Sequence, residues 1–174
     1  MHTGTMERHI ADLLSHPKVV ETRDHMHHSI SKHDHLMRSV KYSYRFAGLL
    51  RADERVCLRA ALIHDIDSRL GTLTTHGQVA ADWAENQGEP PEVCKAIVSH
   101  MYPFGPAPQT REAWVLVLAD KAATLGDLKQ FMRGLLNGSS LENRRRLKQT
   151  DPFYRTRPRQ LLRRLSALRR ARAQ

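Results

Sequence analysis

The chain has 174 residues, 40% of them hydrophobic and 26% charged, which suits one globular domain with a substantial core. No apolar run approaches the roughly 20 residues that span a bilayer, and the N-terminus lacks the basic start and apolar stretch of a signal peptide. We therefore expect a cytoplasmic protein. Its two cysteines, Cys57 and Cys94, form no CxxC pair and are expected to be free thiols.

The net charge of +10 is concentrated at the C-terminus. Residues 144–174 hold twelve Lys and Arg residues against a single acid, Asp151, which gives this segment +11 and leaves −1 for the rest. The high overall charge therefore carries no information about a substrate of the body. The basic segment itself is compatible with a solvated helix face, or with binding to nucleic acid or to an anionic membrane surface.

The hydrophobic pattern predicts helices almost throughout, with no alternating run long enough to indicate a strand. In chain order, helices are expected at about 6–15, 34–50, 55–66, 76–86, 91–100 and from 110 onward. Asp53 is the expected N-cap of the third helix. The glycines Gly134 and Gly138 mark the expected boundary between a helical bundle at 1–138 and a basic C-terminal helical extension at 139–174.

The sixth predicted helix contains seven consecutive apolar residues, Ala113 to Ala119, directly before Asp120. A helix that is apolar on every side is expected to be buried on every side. A buried carboxylate costs several kcal/mol unless it is paired or binds a metal. Lys121 points about 100° away from its neighbour on the helix, so Asp120 needs a partner from another helix.

The third predicted helix offers such a partner, because its apolar run ends in His64 and Asp65. Three further candidates stand near the ends of other predicted helices: His35, His76 and His100. Imidazole and carboxylate groups are ligands that Fe, Mn, Zn, Ni and Co accept. The residues therefore predict a metal site on a bundle of helices, and a buried His–Asp pair without a metal is the alternative.

In chain order, His35, the His64-Asp65 pair and Asp120 resemble the H…HD…D signature of the HD superfamily of metal-dependent phosphohydrolases. The HLMR stretch that starts at His35 resembles the H-x-x-R of the first signature helix, and AALIHDID resembles the usual ALLHDIG. The departure is Asp67, where the signature usually has glycine. Since that glycine is not a ligand, the implied metal site is unaffected.

The resemblance extends to the two remaining histidines. The stretches HGQVAADWA, with His76, and VSHMYPFGPAPQTREAWVLVLADKAAT, with His100, resemble a bacterial branch of HD phosphohydrolases. The similarity covers about residues 25–130. It implies an all-α HD-domain helical bundle, here followed by the basic C-terminal extension.

The family pattern implies one metal ion with four ligands: His35, His64, Asp65 and Asp120. His76 and His100 match the additional histidines of two-metal HD proteins, in which the Asp of the HD pair bridges the ions, so Asp65 would bridge here. The implied cofactor is one or two divalent transition-metal ions, with Fe, Mn, Ni, Co and Zn all open. A structural role for His76 and His100 is the alternative.

A small phosphorylated substrate would need cations near the metal. The candidate substrate contacts are Arg38, one helical turn from His35, and Arg69 and Lys121, which flank the implied ligands. Asp65, Asp67 and Lys121 are the candidate catalytic residues, with Asp67 placed to protonate the leaving group. A solvated surface charge is the alternative for each cation.

Three functions remain open at this stage. The leading one is hydrolysis of a phosphomonoester or phosphodiester, with a nucleotide-like substrate, by metal-activated water. The second is a di-iron oxygenase, because six-ligand HD sites with two irons also serve that chemistry. The third is a binding module in which the metal is structural and residues 144–174 bind nucleic acid or a partner. The intact ligand set favours an enzyme, because a structural site need not leave room for water.

Overall fold

The structure is a computed structural model that describes residues 3–27 and 29–152. Its helices and strands are, in chain order, α1 (Thr3–Leu14), α2 (Pro17–Glu21), β1 (Met26–His27), β2 (Ile30–Ser31), α3 (Lys32–Leu50), α4 (Glu54–Ile63), α5 (His76–Asn86), α6 (Pro91–Val98), α7 (Arg111–Leu136) and α8 (Ser139–Thr150). This confirms the predicted all-α class. The predicted tail helix beyond α8 lies outside the described residues.

The helix boundaries follow local capping chemistry. The Asp53 carboxylate accepts a hydrogen bond from the Val56 backbone N–H at 3.0 Å, so Asp53 is the N-cap of α4 as predicted. Thr110 caps α7 in the same way, through the Ala113 backbone N–H at 3.1 Å. These caps fix where α4 and α7 begin, and therefore which of their residues reach the centre of the bundle.

A short antiparallel hairpin replaces the loop expected before α3. Met26 of β1 pairs with Ser31 of β2, and His27 pairs with Ile30. Two-residue strands contain no alternation that a sequence pattern could detect, which is why the sequence predicts a loop here. The hairpin places the His27 side chain beside the first turn of α3.

The helices α3 and α7 pack side by side in opposite directions. His35, at the start of α3, contacts Asp127 in the second half of α7, whereas the guanidinium of Arg111, the first residue of α7, donates to the Arg51 carbonyl beyond the end of α3 at 3.3 Å. The helix α4 packs against both. Its buried residues from Leu58 to Ile63 form the middle of the hydrophobic core.

The apolar run of α7 is not buried on every side. Trp114 and Leu118 are 42% and 43% exposed, whereas Val115, Leu116 and Ala119 are buried. The expectation of complete burial is therefore wrong for one face of the helix. The opposite face still packs into the core.

A buried arginine joins three parts of the bundle. The Arg59 guanidinium, on α4, donates to both carboxylate oxygens of Glu89, at 2.8 and 2.5 Å, before α6. It also donates to both oxygens of Asp12 in α1, at 2.8 and 2.7 Å, and to the His9 carbonyl at 2.9 Å. Because Glu89 is buried, its charge depends on this pairing.

The first helix of the basic extension packs back on the bundle. Gly134 lies inside α7, and a Cβ there would clash with the Ser140 hydroxyl oxygen, so α7 and α8 approach closely. Just after α8, the buried Asp151 carboxylate accepts from the Met26 backbone N–H at 2.7 Å and pairs with Arg69. Within the described part of the chain, no helix combines the length and the apolarity required to cross a membrane.

Candidate metal centre

The six predicted ligands meet where several helices begin or end. His64 is the C-cap of α4 and Asp65 follows it, while His76 is the first residue of α5. His35 lies in the first turn of α3 and His100 lies two residues after α6. Asp120 reaches the same point from the middle of α7, at the edge of its buried face.

One group of ligand atoms surrounds the Asp120 carboxylate. Its Oδ1 lies 3.2 Å from His35 Nε2 and 3.6 Å from His64 Nε2. One ligand atom from each of these three residues lies within 4.8 Å of the others. The three side chains come from three different helices, which are brought together by the packing of α3, α4 and α7.

A second group continues from the first through His64. Ligand atoms of His64, Asp65 and His100 also lie within 4.8 Å of one another. His76 Nε2 lies 3.0 Å from His100 Nε2 and 3.6 Å from Asp65 Oδ1. Because His64 belongs to both groups, all six predicted ligands form one continuous cluster.

The imidazole rings are oriented by their outer nitrogens. Three Nδ1 atoms lie within hydrogen-bond distance of a backbone carbonyl three or four residues earlier: His64 to Ala61 (2.9 Å), His76 to Thr72 (2.8 Å) and His100 to Ile97 (2.7 Å). A carbonyl can only accept, so each Nδ1 carries the proton and donates it. In a neutral ring the lone pair is then on Nε2, which faces the cluster.

This arrangement fits a bound cation. Two Nε2 lone pairs that face each other at 3.0 Å, as in His76 and His100, repel unless a cation or a proton lies next to them. If two nitrogens each lie about 2.1 Å from one ion and their bonds to it meet at a right angle, the nitrogens are about 3.0 Å apart. Among the described residues, the buried His35 Nε2 and Asp65 Oδ2 also make no hydrogen bond. The donor set therefore suits a divalent metal.

The pKa shifts of Asp65 and His35 also favour a cation in the cluster. Burial alone would raise the pKa of the Asp65 carboxyl, but Lys32 and nearby imidazoles hold it well below its usual range. Burial likewise opposes the charge on His35, yet Asp120 and Asp127 raise the pKa of its ring to about 9. Without a metal, a proton on the His35 ring therefore supplies the positive charge of the cluster.

His100 lies in the opposite electrostatic environment. Burial, with His64 close by, lowers the pKa of the His100 ring to about 4. Its Nε2 is consequently a free lone pair at neutral pH, as a metal ligand requires.

Asp127 is a buried carboxylate beside the cluster that the sequence analysis does not identify. Its buried Oδ2 lies 2.6 Å from His35 Nδ1, and its Oδ1 lies 3.2 Å from Arg38 Nε. The signal was present, because Asp127 follows Asp120 by seven residues, two helical turns, and so lies on the same face of α7. A carboxylate on the outer nitrogen of a ligand histidine fixes the ring and raises its basicity.

His27 and Lys32 also belong to the cluster. His27 Nδ1 lies 3.4 Å from Asp65 Oδ2, and its ring centroid is 4.3 Å from that of His35. The buried Lys32 ammonium donates to the Asp65 carbonyl at 2.9 Å and to the Ser68 hydroxyl at 2.7 Å, and it lies 3.6 Å from Asp65 Oδ2. Nothing in the sequence pattern indicates either contact, because both depend on the hairpin.

Two predicted cations lie next to the cluster. The Arg38 side chain crosses Gly126 of α7, where a Cβ would lie 2.7 Å from Arg38 Cδ, and its guanidinium pairs with Asp127. The ammonium of Lys121, an exposed residue, lies 3.4 Å from the His100 carbonyl. Both residues therefore lie close to implied ligands, as the sequence predicts.

The other two predicted site residues, Asp67 and Arg69, form ion pairs with residues outside the predicted ligand set. The Arg69 guanidinium pairs with Asp151 and donates to the Met26 carbonyl at 2.9 Å. The Asp67 carboxylate accepts from the Lys18 ammonium at 2.8 Å. Asp67 has a φ of 52°, a left-handed conformation that glycine adopts most easily, which explains the glycine usual at this position of the signature.

Removing the Asp127 charge should weaken metal binding without disrupting the bundle. We expect Asp127→Asn to lower metal affinity by about 10- to 100-fold, the usual effect of losing an outer partner of a ligand histidine. Competition titration of the metal-free protein with a chromogenic chelator measures this. Asp34→Asn, an exposed acid beside His35, is the matched control. Equal affinities for Asp127→Asn and the unmodified protein would contradict a role in orienting His35.

The comparisons with known proteins agree with this geometry. The HD domain family matches residues 33–125, just over half of the chain. Ribonuclease Y of Desulforudis audaxviator (strain MP104C) is 32% identical over 112 residues, which cover 60% of this chain and 21% of that protein. The chain thus spans about a fifth of this relative.

No solved structure gives a significant match to the chain. The family match contains all six predicted ligands and ends two residues before Asp127. Because this match covers more than half of the chain, the chain belongs to the HD domain family.

Proposed function

We propose that the protein is a metal-dependent phosphohydrolase that acts on a phosphomonoester or phosphodiester. The observation that carries the proposal is the convergence of imidazole lone pairs and two carboxylates with depressed pKa values on one small volume. Membership of the HD family supports hydrolysis. A bound divalent metal would supply a Lewis acid and lower the pKa of a coordinated water to about 7.

The cluster would offer ligands for two ions. In this proposal, His35, His64 and Asp120 hold one ion. His76 and His100 hold the other. Asp65 lies between the groups, with Oδ1 facing His76 and Oδ2 facing Lys32. Lys32 would hold the Asp65 carboxylate in place at Oδ2, the oxygen that the His27 imidazole also approaches.

The substrate would approach from the side of Asp120 and His76. Their side chains are 14% and 12% exposed, whereas those of the other four ligands are almost completely buried. Lys121 is the cation best suited to a phosphate oxygen there, because the single contact its ammonium makes with the described residues is long. The guanidiniums of Arg38 and Arg69 already pair with buried carboxylates.

The substrate class in this proposal includes nucleotides and RNA. The relative named Ribonuclease Y supports testing an RNA phosphodiester beside mononucleotides. The basic residues 144–174 would then bind the nucleic-acid chain outside the metal centre. A di-iron oxygenase would use the same six ligands, so the reaction itself must be measured.

A screen for phosphate release is the direct test. We expect release from a nucleotide or simple phosphoester, or cleavage of a short RNA, with at least one of manganese, cobalt, nickel, iron or zinc. The screen is run beside an oxygen electrode on the anaerobically reduced iron form. Oxygen uptake coupled to substrate loss, without hydrolysis under any metal, would overturn the proposal in favour of the oxygenase.

A further inference from the structure

An exposed apolar seam runs along α7. Its seven positions alternate in steps of four and three residues: Trp114, Leu118, Lys121, Leu125, Leu128, Met132 and Leu135. The six apolar members are between 37% and 69% exposed, and Lys121 is exposed as well. Residues on the opposite face, among them Leu116, Ala123 and Asp127, are buried in the bundle. The seam is therefore the outer face of a helix whose inner face carries the metal centre.

The spacing of the seam is that of paired helices. Apolar residues at alternating steps of three and four are the a and d positions of a coiled coil, which pack into the spaces of a facing helix. The 22 residues from Trp114 to Leu135 extend over about 32 Å at 1.5 Å per residue. Soluble monomers usually keep a contiguous exposed apolar patch within a few hundred Å². Six large apolar side chains in register along this length indicate a surface that another helix covers.

We propose that the seam pairs with the α7 seam of a second copy of this chain, in antiparallel orientation. A two-fold dimer uses the same patch on both chains, so a seam with this regular spacing is complementary to itself. The register that pairs all positions after Trp114 joins Leu118 with Leu135, Lys121 with Met132, and Leu125 with Leu128. Lys121 belongs both to this seam and to the proposed substrate contact, but the dimer is tested without any measurement of hydrolysis.

Lys121 favours the antiparallel orientation. A parallel pair would place the two Lys121 side chains directly against each other in the middle of an apolar interface. In the antiparallel register each Lys121 stem lies against Met132 of the other copy, and the two lysines are separated by about 17 Å along the helix axis. The Lys121 ammonium points out of the seam towards the His100 carbonyl of its own chain, so the charge is not buried between the helices.

Sedimentation of the full chain tests the dimer. We expect the unmodified protein to be a dimer at micromolar concentration and Leu125→Glu or Leu128→Glu to weaken it by at least about 100-fold, because each places two charges in the interface. Leu49→Glu, at an exposed leucine of α3 off the seam, is the matched control and should remain dimeric. A monomeric unmodified protein, or a dimer that Leu125→Glu and Leu128→Glu leave intact, overturns the proposal.

Cysteine cross-linking tests the orientation in chains that keep the apolar seam. In a Cys94→Ser background, a chain with both Leu118→Cys and Leu135→Cys should form an interchain disulfide, because the two positions face each other across the dimer. Within one chain they are about 25 Å apart, so no intrachain bond competes. Leu118→Cys alone should not cross-link. Efficient cross-linking of Leu118→Cys alone would show a parallel pair, and failure of the double variant would overturn this interface even if the glutamate variants fail to fold.

Discussion

Replacing Asp120 with alanine should remove bound metal and activity together. Asp120 Oδ1 lies 3.2 Å from His35 Nε2 and 3.6 Å from His64 Nε2, so both imidazoles of the first group contact this carboxylate. Its loss leaves His35 and His64 as the remaining two residues of that group. We expect metal affinity to fall by more than the roughly 10- to 100-fold that loss of an outer partner causes, with turnover lost in parallel. Asp65→Ala should behave in the same way, because Asp65 lies between the two groups.

The measurement pairs elemental analysis with phosphate release on the same samples. Asp82→Ala is the matched control, because Asp82 is an exposed acid of α5 whose carboxylate accepts only from Gln78 among the hydrogen bonds of the described residues. It should keep both metal and activity. Asp120→Ala protein that retains full metal content would refute the assignment of Asp120 as a ligand.

The largest loss of stability is expected from Arg59→Met. This change leaves the buried Glu89 carboxylate without its counter-charge and breaks the contacts between α4 and α1. Removing one partner of a buried ion pair typically lowers the free energy of unfolding by about 3–5 kcal/mol. For a chain of this length that corresponds to a fall in Tm of roughly 10 °C. Thermal and urea unfolding, followed by circular dichroism, measure both quantities.

The control uses the other carboxylate on the same arginine. The Asp12 side chain is 64% exposed, so solvent screens its pairing with Arg59. We expect Asp12→Asn to lower the free energy of unfolding by less than about 1 kcal/mol. If Arg59→Met is no more destabilising than Asp12→Asn, the buried pair with Glu89 does not hold these elements together.

The sequence is most informative where a histidine or an aspartate ends a hydrophobic run. His64 and Asp65 end the buried stretch of α4, and Asp120 ends that of α7, so a pattern of burial alone draws attention to them. Asp127 was equally accessible through its two-turn spacing from Asp120. Contacts of this kind are predictable because a single helix fixes which of its residues share a face.

Contacts between elements distant in the chain were not predictable. Arg69 and Asp151 are 82 residues apart, and Lys18 and Asp67 are 49 residues apart, so no local pattern relates the partners. His27 reaches the cluster through a hairpin too short to leave a periodic signal. These contacts depend on how the helices pack, which sequence periodicity does not specify.

The apolar run of α7 shows a different limit. Consecutive apolar residues predict burial within one chain, whereas Trp114 and Leu118 lie on an outer face. The heptad spacing from Leu118 to Leu135 is visible in the sequence. Its meaning depends on which face packs inward, and the structure supplies that information.

The hydrogen bonds on the outer imidazole nitrogens have a consequence for the order of folding. His64, His76 and His100 each find their acceptor within one helical turn of their own backbone, so each ring is oriented as soon as that turn forms. His35 instead depends on Asp127, 92 residues away, and is oriented only after α3 and α7 have docked. A chain that meets metal during folding would therefore offer its three locally oriented imidazoles first. His35 would be the last imidazole to take its place in the proposed site, because its orientation requires that α3 and α7 have docked.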